Sequence, residues 1–155
     1  IPLLSEVLNN LPQHFLINIE ITNYGTIFDG LAKKAACLVK DLGIKDQIIF
    51  SSFNPLNLYY TKQIAPEIPV AILADTGKKG WLSRSSVLRG LSSKFVHPYF
   101  TDVDKEFIDH QHKLRRKVNV WTVNDPADIL RMADLKVDGI ITDNPLLARK
   151  TLGLE

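Results

Sequence analysis

The chain has 155 residues, 45% hydrophobic and 23% charged, a composition that suits one globular domain with room for a sizeable core. The net charge of +2 gives no reason to expect a nucleic-acid or anionic-membrane partner, and no apolar run approaches the roughly 20 residues of a transmembrane segment. Cys37 is the only cysteine, so no internal disulfide can form and the compartment stays undetermined.

Leu4, Val7, Leu8 and Leu11 share one helical face and predict a helix over the first eleven residues, stopped by Pro12. Phe15-Leu16-Ile17-Asn18-Ile19-Glu20-Ile21 then reads as a strand buried on both faces, because apolar residues run almost without alternation. Asn18 and Glu20 interrupt it two positions apart, so both point to one side, with Thr22 following. A carboxylate within an apolar strand is costly unless a cation or a set of donors compensates it. A metal ion opposite Glu20 is the natural candidate.

Thr26 and Asp29 resemble a capping box for a helix that would bury Ile27, Leu31, Ala35, Leu38 and Leu42 and end at Gly43. Cys37 reads as a small helix residue, since nothing cationic is placed to activate its thiol. The pattern then repeats. Strands are predicted to start near 15, 47, 69, 95, 118 and 137, each followed by a helical or loop-plus-helix segment, and the weakest of these covers Gly80 to Leu91. Asn54-Pro55, Asp125-Pro126 and Asn144-Pro145 each place a capping side chain before a proline at the first helical position. The run Lys113, Arg115, Arg116 and Lys117 reads as a solvated helix end.

Six strand-then-helix units in succession predict a parallel α/β architecture. No GxGxxG turn supports an open doubly wound sheet. Glu20, Ser51, His97, Trp121 and Asn124 all fall near C-terminal strand ends, as in a TIM-type (β/α)8 barrel.

Four blocks in order resemble the glycerophosphodiester phosphodiesterase family: Asn18-Ile19-Glu20-Ile21, Ser51-Ser52-Phe53-Asn54-Pro55, Trp121-Thr122-Val123-Asn124 and Asp138-Gly139-Ile140-Ile141-Thr142-Asp143-Asn144-Pro145. Ile1-Pro2-Leu3-Leu4-Ser5-Glu6-Val7-Leu8 is similar to the helix preceding them. The resemblance implies a barrel that uses a divalent cation, Ca²⁺ or Mg²⁺, to hydrolyse a small glycerophosphodiester to glycerol 3-phosphate and an alcohol. It implies that Glu20 is one of three carboxylate metal ligands. Trp121 and Phe53 would line the substrate pocket, with Thr22 facing the phosphate. His97, before Pro98 at a strand end, reads from its position as a substrate-binding residue at the pocket rim or else as a loop-fixing side chain.

Thr22 stands where the family usually carries a lysine. The family's opening His-Arg-Gly strand, its other two metal carboxylates and its second histidine have no counterpart here. The expectation is therefore an incomplete barrel of about six units with the N-terminal two absent, inactive alone. It would be completed by an upstream part, which the opening Ile1-Pro2 suggests, or by another copy in a homo-oligomer. A second reading keeps the fold but takes the protein as a catalytically impaired binder of a phosphorylated ligand or partner. A third is a relative cleaving lysophospholipids or sphingomyelin, for which Lys78, Lys79, Gly80 and Trp81 would form a loop touching lipid; by itself that stretch reads as a plain surface loop.

Overall fold

A computed structural model describes residues 1–12, 14–23, 26, 28–92 and 94–154. The chain divides into two compact units, Ile1–Val70 and Ala71–Glu155. Six parallel strands, each followed by a helix, run through them in chain order, which is the βα repeat of a TIM-type barrel.

The first unit holds α1 (Leu4–Asn10), β1 (Ile17–Glu20), α2 (Leu31–Asp41), β2 (Ile48–Ser52) and α3 (Pro55–Ile64). β1 and β2 pair in parallel from Ile17↔Ile48 to Glu20↔Ser51, with α2 as the crossover that a parallel pair requires. β2 is wholly or nearly buried along its length, whereas β1 is not. Ile19 and Ile21 face the core, but Asn18 and Glu20 are exposed, and Phe15 and Leu16 lie outside the strand and are exposed too. The expectation of a strand buried on both faces is therefore corrected. The polar pair gives β1 an open side, and only the isoleucine side packs.

α2 also differs from its expected form. It begins at Leu31, after Gly30 in the left-handed conformation (φ +75°), so Thr26 and Asp29 lie before it. The Asp29 carboxylate still serves the helix start, accepting from the Leu31 backbone N–H at 2.8 Å. The buried face is Ala32, Ala35, Ala36 and Val39, while Leu31 is exposed; Ile27 lies outside the described residues. Three alanines allow the helix backbone to approach its neighbours closely, and that closeness selects this face over the larger leucines.

The second unit takes up β3 (Val70–Ala74), whose first residue closes the first unit, and continues with α4 (Gly77–Arg84), β4 (Phe95–Pro98) and α5 (Lys105–Lys113). β5 (Lys117–Val120), α6 (Pro126–Asp134), β6 (Gly139–Ile140) and α7 (Pro145–Thr151) complete it. β3 to β6 pair with their sequence neighbours, all parallel. Ile72, Val96, Val118 and Val120 are buried, as are Ile108, Ile129 and Met132 from the helices.

The three proline-adjacent caps are formed as predicted. Asn54 Oδ1 accepts from Leu56 N at 3.0 Å, Asp125 Oδ1 from Ala127 N at 2.8 Å, and Asn144 Oδ1 from Leu147 N at 3.0 Å. Arg116 departs from the solvated helix end. It is buried, donating to Gln111 Oε1 at 3.0 Å and to the Phe95 carbonyl at 3.3 Å. Burial, with a smaller push from Arg89, lowers its pKa to about 10.

Candidate functional site

In parallel α/β proteins of this class, side chains at the C-terminal strand ends and in the loops that follow are the ones placed to meet a ligand. In the first unit these are Glu20 and Ser51, partners in the β1–β2 register and therefore on the same side. Glu20 is exposed, whereas Ser51 is fully buried and its hydroxyl has no hydrogen-bond partner. The Ser51 hydroxyl is thus a buried polar group left without a partner, which is uncommon in a folded interior.

A polar chain holds the loop after β1. Ser52 Oγ donates to the Ile21 carbonyl at 2.7 Å and accepts from Asn57 Nδ2 at 3.1 Å. Asn57 Nδ2 also donates to Asn23 Oδ1 at 2.7 Å, and Asn23 Nδ2 donates to Asp29 Oδ1 at 2.8 Å. The Leu31 backbone N–H and the Asn23 amide hold the Asp29 carboxyl below its usual range, helped by Thr26 and Lys34. Thr22 is exposed on this tethered loop, and Phe53 is half-buried at the end of β2.

In the second unit, His97 and Asn119 lie on one side of β4 and β5, with Asn119 Nδ2 3.1 Å from His97 Nε2. His97 is fully buried, not at a rim, and its register partner on β3 is the buried Leu73. Burial pushes its pKa down to about 4, so the ring is neutral near pH 7. Asn119 meets the ring at Nε2, while Nδ1 is a buried atom with no partner.

The His97 backbone carbonyl accepts from Trp121 Nε1 at 2.8 Å. Tyr99 meets the Trp121 ring edge-on at 5.0 Å, so the half-buried indole is fixed at one end and braced on a side. Beyond it, Asn124 spans two loops. Its Nδ2 donates to Asp143 Oδ2 at 2.7 Å, and its Oδ1 accepts from Thr142 Oγ1 and the Asp143 N–H, both at 3.0 Å. Asp143 is thus bound to an amide, and Asn144 caps α7.

Asn57 and Asn119 were not singled out from sequence. Asn119 had a readable signal, since it lies two residues before Trp121 and so shares its side of β5. Asn57, in the first turn of α3, had none.

Among the described residues no group of three or more His, Cys, Asp or Glu side chains could hold a metal ion. Glu20 is a suitable oxygen ligand for a hard cation, but Ca²⁺ or Mg²⁺ takes six or more oxygens. The described residues therefore do not complete a metal site.

The sequence profile of the glycerophosphoryl diester phosphodiesterase family matches residues 1–147. A glycerophosphodiester phosphodiesterase from Caldanaerobacter subterraneus subsp. tengcongensis is 32% identical over 147 residues, covering 94% of this chain and 59% of that protein. A crystal structure of a putative glycerophosphoryl diester phosphodiesterase from Silicibacter pomeroyi superposes with a TM-score of 0.77 at 26% identity, over 87% of this chain and 49% of that one. A putative glycerophosphodiester phosphodiesterase from Galdieria sulphuraria shares the fold with a TM-score of 0.82 at 18% identity, over 97% and 62%. The chain thus spans less than two thirds of the length of these relatives.

Proposed function

The chain belongs to the glycerophosphoryl diester phosphodiesterase family, and we propose that the protein hydrolyses glycerophosphodiesters to glycerol 3-phosphate and an alcohol. The observation that carries this reading is the family match over residues 1–147, a span that includes Glu20 on the open side of β1. Water adds across one P–O bond: the glycerol fragment keeps the phosphate, and the departing alkoxide takes the proton.

In this reading Glu20 contributes one carboxylate to a divalent-cation site, with Ca²⁺ or Mg²⁺ favoured by its hard oxygen donor. Thr22 donates a hydrogen bond to a substrate oxygen. Trp121 and Phe53 offer aromatic walls to the glycerol or head group. His97, being buried, is a positioning residue that acts by holding the Trp121 indole through its carbonyl.

The test is release of glycerol 3-phosphate from glycerophosphocholine by the protein, before and after EDTA and after Ca²⁺ or Mg²⁺ is restored. Turnover abolished by EDTA and recovered with metal is expected. Thr22, a neutral hydroxyl where the resemblance expects a lysine, favours one rival: a binder of phosphorylated ligands without turnover. Saturable glycerol 3-phosphate binding with no product under any metal condition would establish that rival instead.

A further inference from the structure

Helix α4 is built inside out. It is anchored through Gly80, its buried residue, and the half-buried Arg84 four positions on, and it is joined to its surroundings by polar contacts. Arg84 Nη1 donates to Asp102 Oδ2 and to the Asp75 carbonyl, both at 2.7 Å, while Nη2 donates to the Gly77 carbonyl at 2.8 Å. The Gly77 N–H donates to the same Asp102 oxygen at 2.8 Å. A Cβ at position 80 would lie 1.7 Å from the Asp75 carbonyl oxygen, so the helix lies directly on the preceding backbone. The large side chains turn away from Gly80: Trp81 and Leu82 are exposed, as are Lys78 and Lys79, and Trp81 stands next to Arg84 at the border of the clamp.

Trp81 is 64% exposed, Leu82 47%, and Val87 on the following turn 68%. A soluble helix normally buries its apolar side and solvates its charges; here the ionic side is the anchored one and the apolar side faces water. From Asp75 to Arg89, four basic residues stand against one acid, and Arg84 is already paired with Asp102. Lys78, Lys79 and Arg89 remain exposed. Gly77, Lys78, Trp81 and Arg84 line a recess of about 410 Å³. The chain's small net charge conceals this local excess.

We propose that the exposed part of α4, with Lys78, Lys79, Trp81 and Leu82, together with Val87 of the turn that follows, is a peripheral docking surface for an anionic lipid bilayer. Tryptophan prefers the head-group layer, where its ring is half in hydrocarbon and its N–H remains hydrated. Lysines flanking it are attracted to acidic head groups, and the attraction is confined to about a Debye length. The polar clamp beneath α4 holds the tryptophan out in advance, so little ordering is required on contact. The surface does not depend on the hydrolytic reading, and its test carries no activity readout.

The experiment is co-sedimentation of the protein with phosphatidylcholine vesicles, with and without one-fifth phosphatidylglycerol, at low and at molar salt. Binding to the anionic vesicles at low salt alone is expected. Lys78→Gln and Lys79→Gln should each weaken partitioning about fivefold. Trp81→Ser should weaken it about tenfold and abolish the vesicle-induced blue shift of tryptophan emission. Absence of pelleting, equal pelleting with neutral vesicles, or full pelleting by Trp81→Ser overturns the proposal. So does self-association that Trp81→Ser removes without any vesicle binding, which would give the surface to a second copy. Competition by inorganic phosphate at matched ionic strength would give it to a small anion and also overturn it.

Discussion

Asn119 occupies the space that a side chain at position 139 would need. A Cβ built on Gly139 lies 2.6 Å from Asn119 Oδ1, and the two residues are register partners across β5 and β6. The glycine thus leaves room for the amide that hydrogen-bonds His97, which in turn carries Trp121.

Gly139→Ala is therefore expected to destabilise the fold by about 1–3 kcal/mol, the usual cost of overpacking. Urea unfolding of Gly139→Ala, Asn119→Ala and the double variant measures it. The double variant should lose clearly less than the two singles together, because shortening residue 119 restores the space.

Asn57 bridges Ser52 and Asn23 from a fully buried position. Asn57→Leu removes the donor from both; Ser52 Oγ keeps the Asn54 N–H, but Asn23 Oδ1 loses its donor, at a cost of about 1–3 kcal/mol. Amide hydrogen exchange should show faster exchange at Asp29 and Leu31, while the core strands β3 and β4 stay protected. Unchanged protection around residues 29–31 would refute the tether.

Glu20 is exposed and ends its strand, so Glu20→Gln should leave the melting temperature within about 2 °C. Under the proposed function it should lower glycerophosphodiester hydrolysis by at least about a hundredfold, since a neutral amide oxygen holds a divalent cation less tightly than a charged carboxylate. Retained activity in a folded Glu20→Gln protein would remove Glu20 from the reaction.

His97 links stability to pH. Its folded pKa of about 4 lies below its ordinary 6.5, so the unfolded chain binds the extra proton over that interval. The contribution is complete above pH 6.5 and is lost as pH falls to about 4, amounting to about 3 kcal/mol at most. Urea midpoints across that interval should therefore drop on acidification, and His97→Gln should flatten the drop. The Asp29 carboxyl, also held low, adds a separate loss only below its own ordinary value of 3.8.

The order of strands and helices, the three caps before Pro55, Pro126 and Pro145, and the family likeness were all legible in the residues. Each is a local signal: a capping oxygen reaches an N–H two or three positions away, and a buried parallel strand shows as an apolar run of its own. Where the signal depended on neighbours distant in the chain, the tertiary structure decided. It turned α2 onto Ala32, Ala35, Ala36 and Val39, opened one side of β1, enclosed Arg116 and His97, and set the tryptophan of α4 outward over an ionic clamp. Periodicity shows that a helix has a face but not which elements will meet it. Burial of a polar side chain depends on partners such as Gln111, Asn119 or Asp102, and only folding brings these within hydrogen-bond reach.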